Sequence, residues 1–263
     1  MTFYKNTSNT VRWVHHDSIT ECIENVIQKP KTWLSLECVN AEASTWYGDM
    51  SWNDAIKLAR EGWQLKEKAG ASMLLANPHG KVEFSECGDE VDVGTFLSGE
   101  PECFITRIGE IPSRIESVIV RLGYLGSVKA NDIARWGQTF WKWLLKQHEA
   151  GVGLSVIGAW GTTNRSTMED SRQFYGHTIN IRNAGDPLES HQFMASLHPA
   201  FYRRIMFQIQ NHHGWPKWGS GRGFSKGIEC ARLIFGDSHL KGSLYVEPSQ
   251  INETTRLEDL PTI

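Results

Sequence analysis

Apolar positions recur along this chain at two different periods, and the changes between them predict the elements. From 52 to about 68, Ala55, Ile56, Leu58 and Ala59 form one apolar side behind Ser51, with Asp54 three residues on as in a capping box, so a helix is expected there. Gly62 weakens that helix locally. A second helix is expected over 131–149, where Ile133, Trp136, Phe140 and Leu144 recur at helical spacing beside Trp141 and Leu145, with Asn131 as cap and Gly151 after the end. Between the two helices the pattern turns β-branched. Residues 104–108 and 115–122, bounded by Gly109, Pro112 and Gly123, read as two strands with a turn between them. Residues 154–160 and 176–182 read as two more strands, separated by a polar, mobile loop over 161–172. Asp186-Pro187-Leu188-Glu189 marks a helix start, Pro199 opens another helix, and Gly214 is placed to end it.

This order predicts an α/β protein: a mixed sheet flanked by helices, preceded by a mostly helical N-terminal extension. The expected organisation is an N-terminal helical region over 1–80, an acidic connector over 81–103, an α/β core over 104–246 and a polar tail over 247–263. The connector is marked by seven acids against one lysine between Lys81 and Glu102, a composition usual for a solvated loop or edge. The tail ends Leu257-Glu258-Asp259-Leu260-Pro261-Thr262-Ile263 and reads first as a frayed terminus; an acidic tail with apolar residues can also recruit a protein or mask a cationic groove.

Bulk composition narrows the class. Apolar residues make up 40% and charged residues 22%, ordinary values for a globular protein, and no apolar run approaches the roughly 18 residues of a membrane span. With no secretory signal at the N-terminus, a cytoplasmic protein away from any membrane is expected. The five cysteines, Cys22, Cys38, Cys87, Cys103 and Cys230, never form a C-x-x-C pair, which argues against a disulfide framework or a zinc knuckle. Eleven tryptophans are unusual, but several fall within the helical patterns and read as core; Trp215 and Trp218, flanking Pro216 and Lys217 in a glycine-rich stretch, do not.

Local charge changes the picture more than the formal net charge of −3. Between Ser190 and Ile228 there is no acidic residue, while Arg203, Arg204, Lys217, Arg222 and Lys226 are interleaved with histidines and aromatics that include Trp215, Trp218 and Phe224. Cations displace counterions from phosphates and flat rings stack on unpaired bases, so this composition points to a surface that binds single-stranded nucleic acid. A second cationic surface is expected on the 131–149 helix, where Arg135, Lys142 and Lys146 share a face opposite the apolar stripe.

Catalytic chemistry has no comparable signal. The run Gly219-Ser220-Gly221-Arg222-Gly223-Phe224 lacks the G-K-[ST] ending of a P-loop and the spacing of a dinucleotide fingerprint, and reads equally as a plain linker or a basic loop that closes over a strand. The histidine pairs His15-His16 and His212-His213 point apart on any regular element, so neither a metal site nor a cofactor is expected. A hydrolase would need Glu189, His191 and His198 gathered in one concave pocket.

Three local patterns carry a resemblance to known proteins: Tyr47 to Trp63; Asp92 to Cys103, reading Asp-Val-Gly-Thr-Phe-Leu-Ser-Gly-Glu-Pro-Glu-Cys; and His198 to Ile205, reading His-Pro-Ala-Phe-Tyr-Arg-Arg-Ile. Together they resemble a family of similar length encoded by tailed bacteriophages, without an assigned function. The resemblance extends to the early single-stranded DNA-binding proteins with which some podophages direct their own RNA polymerase to promoters. The order from Ile115 to Trp160 is also similar to the start of a von Willebrand A-type domain. That family's metal site needs Asp-x-Ser-x-Ser after the first strand, where this chain has Arg121-Leu122-Gly123-Tyr124-Leu125-Gly126-Ser127, so its metal-dependent function is not expected.

The sequence thus predicts a non-enzymatic single-stranded DNA-binding accessory protein, phage-encoded and acting in the host cytoplasm in transcription or replication beside a phage or host polymerase. Arg203, Arg204, Lys217, Arg222 and Lys226 would contact phosphates, and Trp215, Trp218 and Phe224 would stack on bases. The alternative is a protein-interaction module, a virion component or an inhibitor of a host enzyme, with the tryptophans at its interface.

Overall fold

The computed structural model describes residues 10–27, 40, 42–63, 81–85, 90–108, 114–124, 127–164, 173–184, 190–212, 242–252 and 254–263. The elements in chain order are β1 (Thr10–His16), α1 (Ile19–Ile27), α2 (Trp52–Glu61), β2 (Lys81–Ser85), β3 (Glu90–Val91), α3 (Val93–Leu97), β4 (Phe104–Ile108), β5 (Arg114–Arg121), α4 (Ala130–Glu149), β6 (Val152–Asn164), β7 (Gln173–Arg182), α5 (Ser190–Leu197), a π-helix (Phe201–Met206), α6 (Phe207–His212) and β8 (Leu244–Val246).

The core is a five-stranded mixed sheet in the order β1-β7-β6-β5-β8. Parallel pairing joins β1 to β7, β5 to β6 and β5 to β8, and β6 and β7 form the one antiparallel pair. Helices flank this sheet, as the alternation of elements predicts for an α/β protein. β5 lies in the sheet interior between β6 and β8 because its sequence suits burial on both faces: Val118, Ile119 and Val120 are all fully buried. The β5–α4–β6 unit follows from the same logic. α4 buries Ile133, Gly137, Phe140, Trp143 and Leu144 along one stripe, and Gly137 lets Met194 of α5 approach so closely that a Cβ there would lie 2.6 Å from Met194 Cε.

Several boundaries differ from the sequence reading. β1 lies within the stretch expected to be mostly helical, and it is one edge strand of the main sheet, with β8 at the opposite edge. Its register with β7 places Val14 opposite His177, a pairing made across more than 160 residues. The strands on either side of residues 109–113 do not form a hairpin: β4 pairs with β2 and β3 in a separate three-stranded sheet, while β5 enters the main sheet. The acidic connector is therefore ordered over much of its length. β6 and β7 run further than expected, pairing as far as Asn164 with Gln173 and shortening the connection between them to 165–172.

Helix ends follow capping chemistry. At α2, Ser51 Oγ accepts from the Asp54 amide at 3.2 Å and the Asp54 carboxylate accepts from the Ser51 amide at 3.0 Å, the expected capping box. α4 begins one residue earlier than expected, with Lys129 rather than Asn131 in the cap position and no side-chain cap bond. The start expected at 186–189 lies outside the described residues, as does Gly214. The helix opened by Pro199 contains the π-helix, all six of whose residues are buried.

The 247–263 tail is packed, not frayed. Pro248, Ile251 and Leu257 are buried, Trp143 Nε1 donates to the Thr255 carbonyl at 3.0 Å, and the Tyr245 amide donates to the Pro261 carbonyl at 2.8 Å.

Candidate nucleic-acid interface

On α4 the solvent stripe is cationic. At about 100° per residue, Arg135, Lys142 and Lys146 fall within a sector of roughly 40°, and all three are exposed. Arg135 pairs with Asp132 at 3.3 Å across one turn, an exposed pair worth little energetically. At the edge of the same helix, Trp141 and Leu144 join Phe193 of α5 and Ile181 of β7 around an open pocket of about 330 Å³, with Asn180, Arg182 and Gln192 at its polar side. Arg182 is held there by a hydrogen bond to the Leu154 carbonyl, and Gln192 Nε2 donates to the Arg60 carbonyl at 3.1 Å. A lining that combines aromatic rings with carboxamides can hold a flat heterocycle and bond its edge. Sequence reading passed over this pocket because its walls come from α1, α4, β6, β7 and α5, with no local motif.

Arg203 and Arg204 are not on that surface, which corrects the expectation that they contact phosphates. Both sit in the π-helix, at 1% and 0% exposure. Arg204 donates from Nε to the Met50 carbonyl at 2.9 Å and from Nη2 to the Glu42 carbonyl at 3.1 Å, with its guanidinium 3.8 Å over the Tyr47 ring. Arg203 donates to the Trp46 carbonyl and lies 4.1 Å over the Trp46 ring. Planar, forked guanidinium groups suit this combination of stacking and carbonyl bonding. Their function here is to hold the 42–50 turn, where Gly48 and Asp49 both have positive φ, against the core. The cationic composition of 190–228 is thus partly an internal scaffold. Trp215, Lys217, Trp218, Arg222, Phe224 and Lys226 lie outside the described residues.

His198 belongs to the same scaffold. Its Nδ1 accepts from the Ala200 amide at 3.0 Å, which leaves the proton of the neutral ring on Nε2, and Trp63 meets it edge-on at 4.3 Å. Burial, aided by the charge of Arg203, pushes its pKa down to about 4. A neutral imidazole is therefore built into the fold. His191 packs instead beside Gly62, and its carbonyl accepts from the Trp63 amide at 2.8 Å. Glu189, the third member of the hydrolase reading, lies outside the described residues.

Where the sheet meets the π-helix, aromatic and imidazole rings form a continuous buried layer. Trp160 stacks on His177 at 5.5 Å and meets Tyr202 edge-on at 5.2 Å, and His177 in turn lies 6.1 Å from His16. Gly123 fits beneath them: a Cβ there would lie 2.5 Å from Trp160 Cδ1. At the end of β5, after which von Willebrand A-type domains carry their metal ligands, Arg121 instead pairs with Glu247 at 3.0 Å. Among the described residues no group of three or more His, Cys, Asp or Glu is placed to hold a metal ion. No described helix is long and apolar enough to cross a membrane.

These features define an α/β protein with a mixed sheet, a cationic helix face and a buried arginine-bearing π-helix. The chain belongs to the family described as a domain of unknown function, DUF7192, whose model matches residues 4–249. No curated protein and no solved structure matches it.

Proposed function

We propose that this protein is a single-stranded DNA-binding accessory protein that serves transcription or replication, phage-encoded and working beside a polymerase in the host cell. The observation that carries the reading is the α4 stripe of Arg135, Lys142 and Lys146, exposed together on one face. Three cations along one helix track a phosphate backbone, and the separate pocket lined by Trp141, Phe193, Asn180 and Gln192 offers an aromatic and amide lining to a flat ring. Lys217, Arg222 and Lys226, with Trp215, Trp218 and Phe224, extend the same chemistry by composition. Arg203 and Arg204 are left out of the contact set, because a buried guanidinium bonded to carbonyls is not available to a phosphate.

The test is fluorescence anisotropy of labelled single- and double-stranded oligonucleotides titrated with the full chain at two salt concentrations. Salt-sensitive binding that prefers the single strand supports the proposal, and the Trp215→Ala/Trp218→Ala double variant then weakens it by roughly 2–6 kcal/mol if each ring stacks on a base. Absence of binding at low salt refutes it.

A further inference from the structure

The acidic connector carries large apolar side chains that are exposed among the described residues. α3 places Val93, Phe96 and Leu97 at positions i, i+3 and i+4, hence on one face, at 64%, 57% and 77% exposure; Val91 of the adjoining β3 is 44% exposed. Single exposed apolar residues need no explanation, but four within seven consecutive positions form a patch.

The patch is held in shape. The Asp92 side chain caps α3 by accepting from the Thr95 amide at 3.0 Å, and Ser98 Oγ donates to the Thr95 carbonyl at 2.7 Å. Gly99, at φ 80°, donates to the Phe96 carbonyl at 3.1 Å and so turns the chain out of the helix. The Asp92 amide donates to the Cys103 carbonyl at 2.8 Å, closing the loop at its base. Anchors on a closed, capped loop are preorganised, so little ordering entropy is lost when they are buried by a partner.

Charge selects the occupant. No lysine or arginine occurs between Glu90 and Thr106, and Glu100 and Glu102 are exposed beside the helix. An acid-rimmed surface repels phosphate, whether of nucleic acid or of lipid headgroups, and two copies facing each other would oppose like charges. We infer that α3 is a docking element for a partner protein segment that interleaves apolar residues with lysine or arginine, the apolar ones meeting Val93, Phe96 and Leu97 and the cations meeting the acidic rim. This surface is separate from the α4 stripe and does not depend on the nucleic-acid reading.

The test uses a random-peptide display library selected on the immobilised full chain and counter-selected on Phe96→Asp/Leu97→Asp. Both side chains are more than half exposed, so this variant should keep the wild-type circular dichroism and melting temperature. Enrichment of peptides that interleave apolar residues with Lys or Arg is expected. A synthesised winner should bind the double aspartate variant about tenfold or more weakly, and should lose several-fold in affinity as salt is raised from about 0.05 to about 0.5 M. The independent variant Glu100→Lys/Glu102→Lys, which leaves the apolar anchors intact, should also weaken that winner. Failure to enrich any sequence, winners that bind both variants as well as wild type, or winners without basic residues would each overturn the inference. So would a wild-type dimer in sedimentation that Phe96→Asp/Leu97→Asp dissolves, since the occupant would then be a second copy of this chain.

Discussion

Arg204 shows how a charged side chain can be structural. With no exposed surface itself, it bonds two part-buried backbone carbonyls and covers the Tyr47 ring, so its removal takes the donor from both and empties a buried side-chain site. Arg204→Met should therefore cost about 2–4 kcal/mol, read from the urea midpoint, and Arg204→Lys should recover little, because an ammonium cannot bond both carbonyls in the plane of a fork. A shift within roughly 0.5 kcal/mol would show that the 42–50 turn does not depend on it. His198 makes a second prediction at this scale. Its folded pKa of about 4 lies below the 6.5 of an unfolded imidazole, so the unfolded chain binds the extra proton between those values and stability falls as pH drops through that window. The loss from this one group is of order 3 kcal/mol. Comparison of melting temperatures from pH 7 to 4.5 in wild type and His198→Asn should give a shallower fall in the variant, and parallel curves would contradict the assignment.

At the scale of elements, the C-terminal tail acts as a clasp on α4 and β8. Leu257 is buried, Thr255 accepts from the Trp143 indole, and Thr262 forms a bridge to Leu244, so the last ten residues complete the edge of the sheet beside β8. Deleting residues 254–263 should expose this edge and destabilise the chain by about 2–5 kcal/mol, comparable with emptying one large core position. Differential scanning calorimetry would detect it, and an unchanged melting temperature would mean that the tail is dispensable. The π-helix is the other element with a distinct function. Its wider turn presents Arg203 and Arg204 consecutively to Trp46 and Tyr47, while Tyr202 faces the Trp160 layer.

Across the whole molecule, two surfaces of opposite character stand apart from the core: the cationic α4 stripe and the acid-rimmed apolar face of α3. A formal charge of −3 conceals both. Lys142 and Lys146 are exposed, so Lys142→Glu/Lys146→Glu should leave the melting temperature nearly unchanged while lowering single-strand affinity and reducing the slope of log affinity against log salt by about 1.4, for two phosphates no longer neutralised. An unaltered slope would place the nucleic-acid contacts elsewhere. The same substitutions should not affect peptide binding at α3.

Much of the fold is local chemistry and was legible in the chain. The α2 capping box is fixed by Ser51 and Asp54 three residues apart, the long amphipathic stripe of α4 by its own periodicity, and the buried strand β5 by a run of β-branched residues; each interaction lies within one element. The exposure of Arg135, Lys142 and Lys146 followed from the same periodicity. Sequence by itself therefore determined the types of α2, β4, β5, α4, β6 and β7, the α/β class and the solvent face of α4. Only the tertiary structure decided that β1 pairs with β7, that β4 and β5 enter different sheets, that the tail is docked, and that Arg203 and Arg204 are buried. Composition counts charges without regard to direction, whereas burial depends on partners more than 150 residues away, such as the carbonyls of Trp46 and Met50. The exposed face of α3 is the converse case: its residues read as part of a solvated acidic connector, and only the folded chain sets Val93, Phe96 and Leu97 together on one exposed helical face.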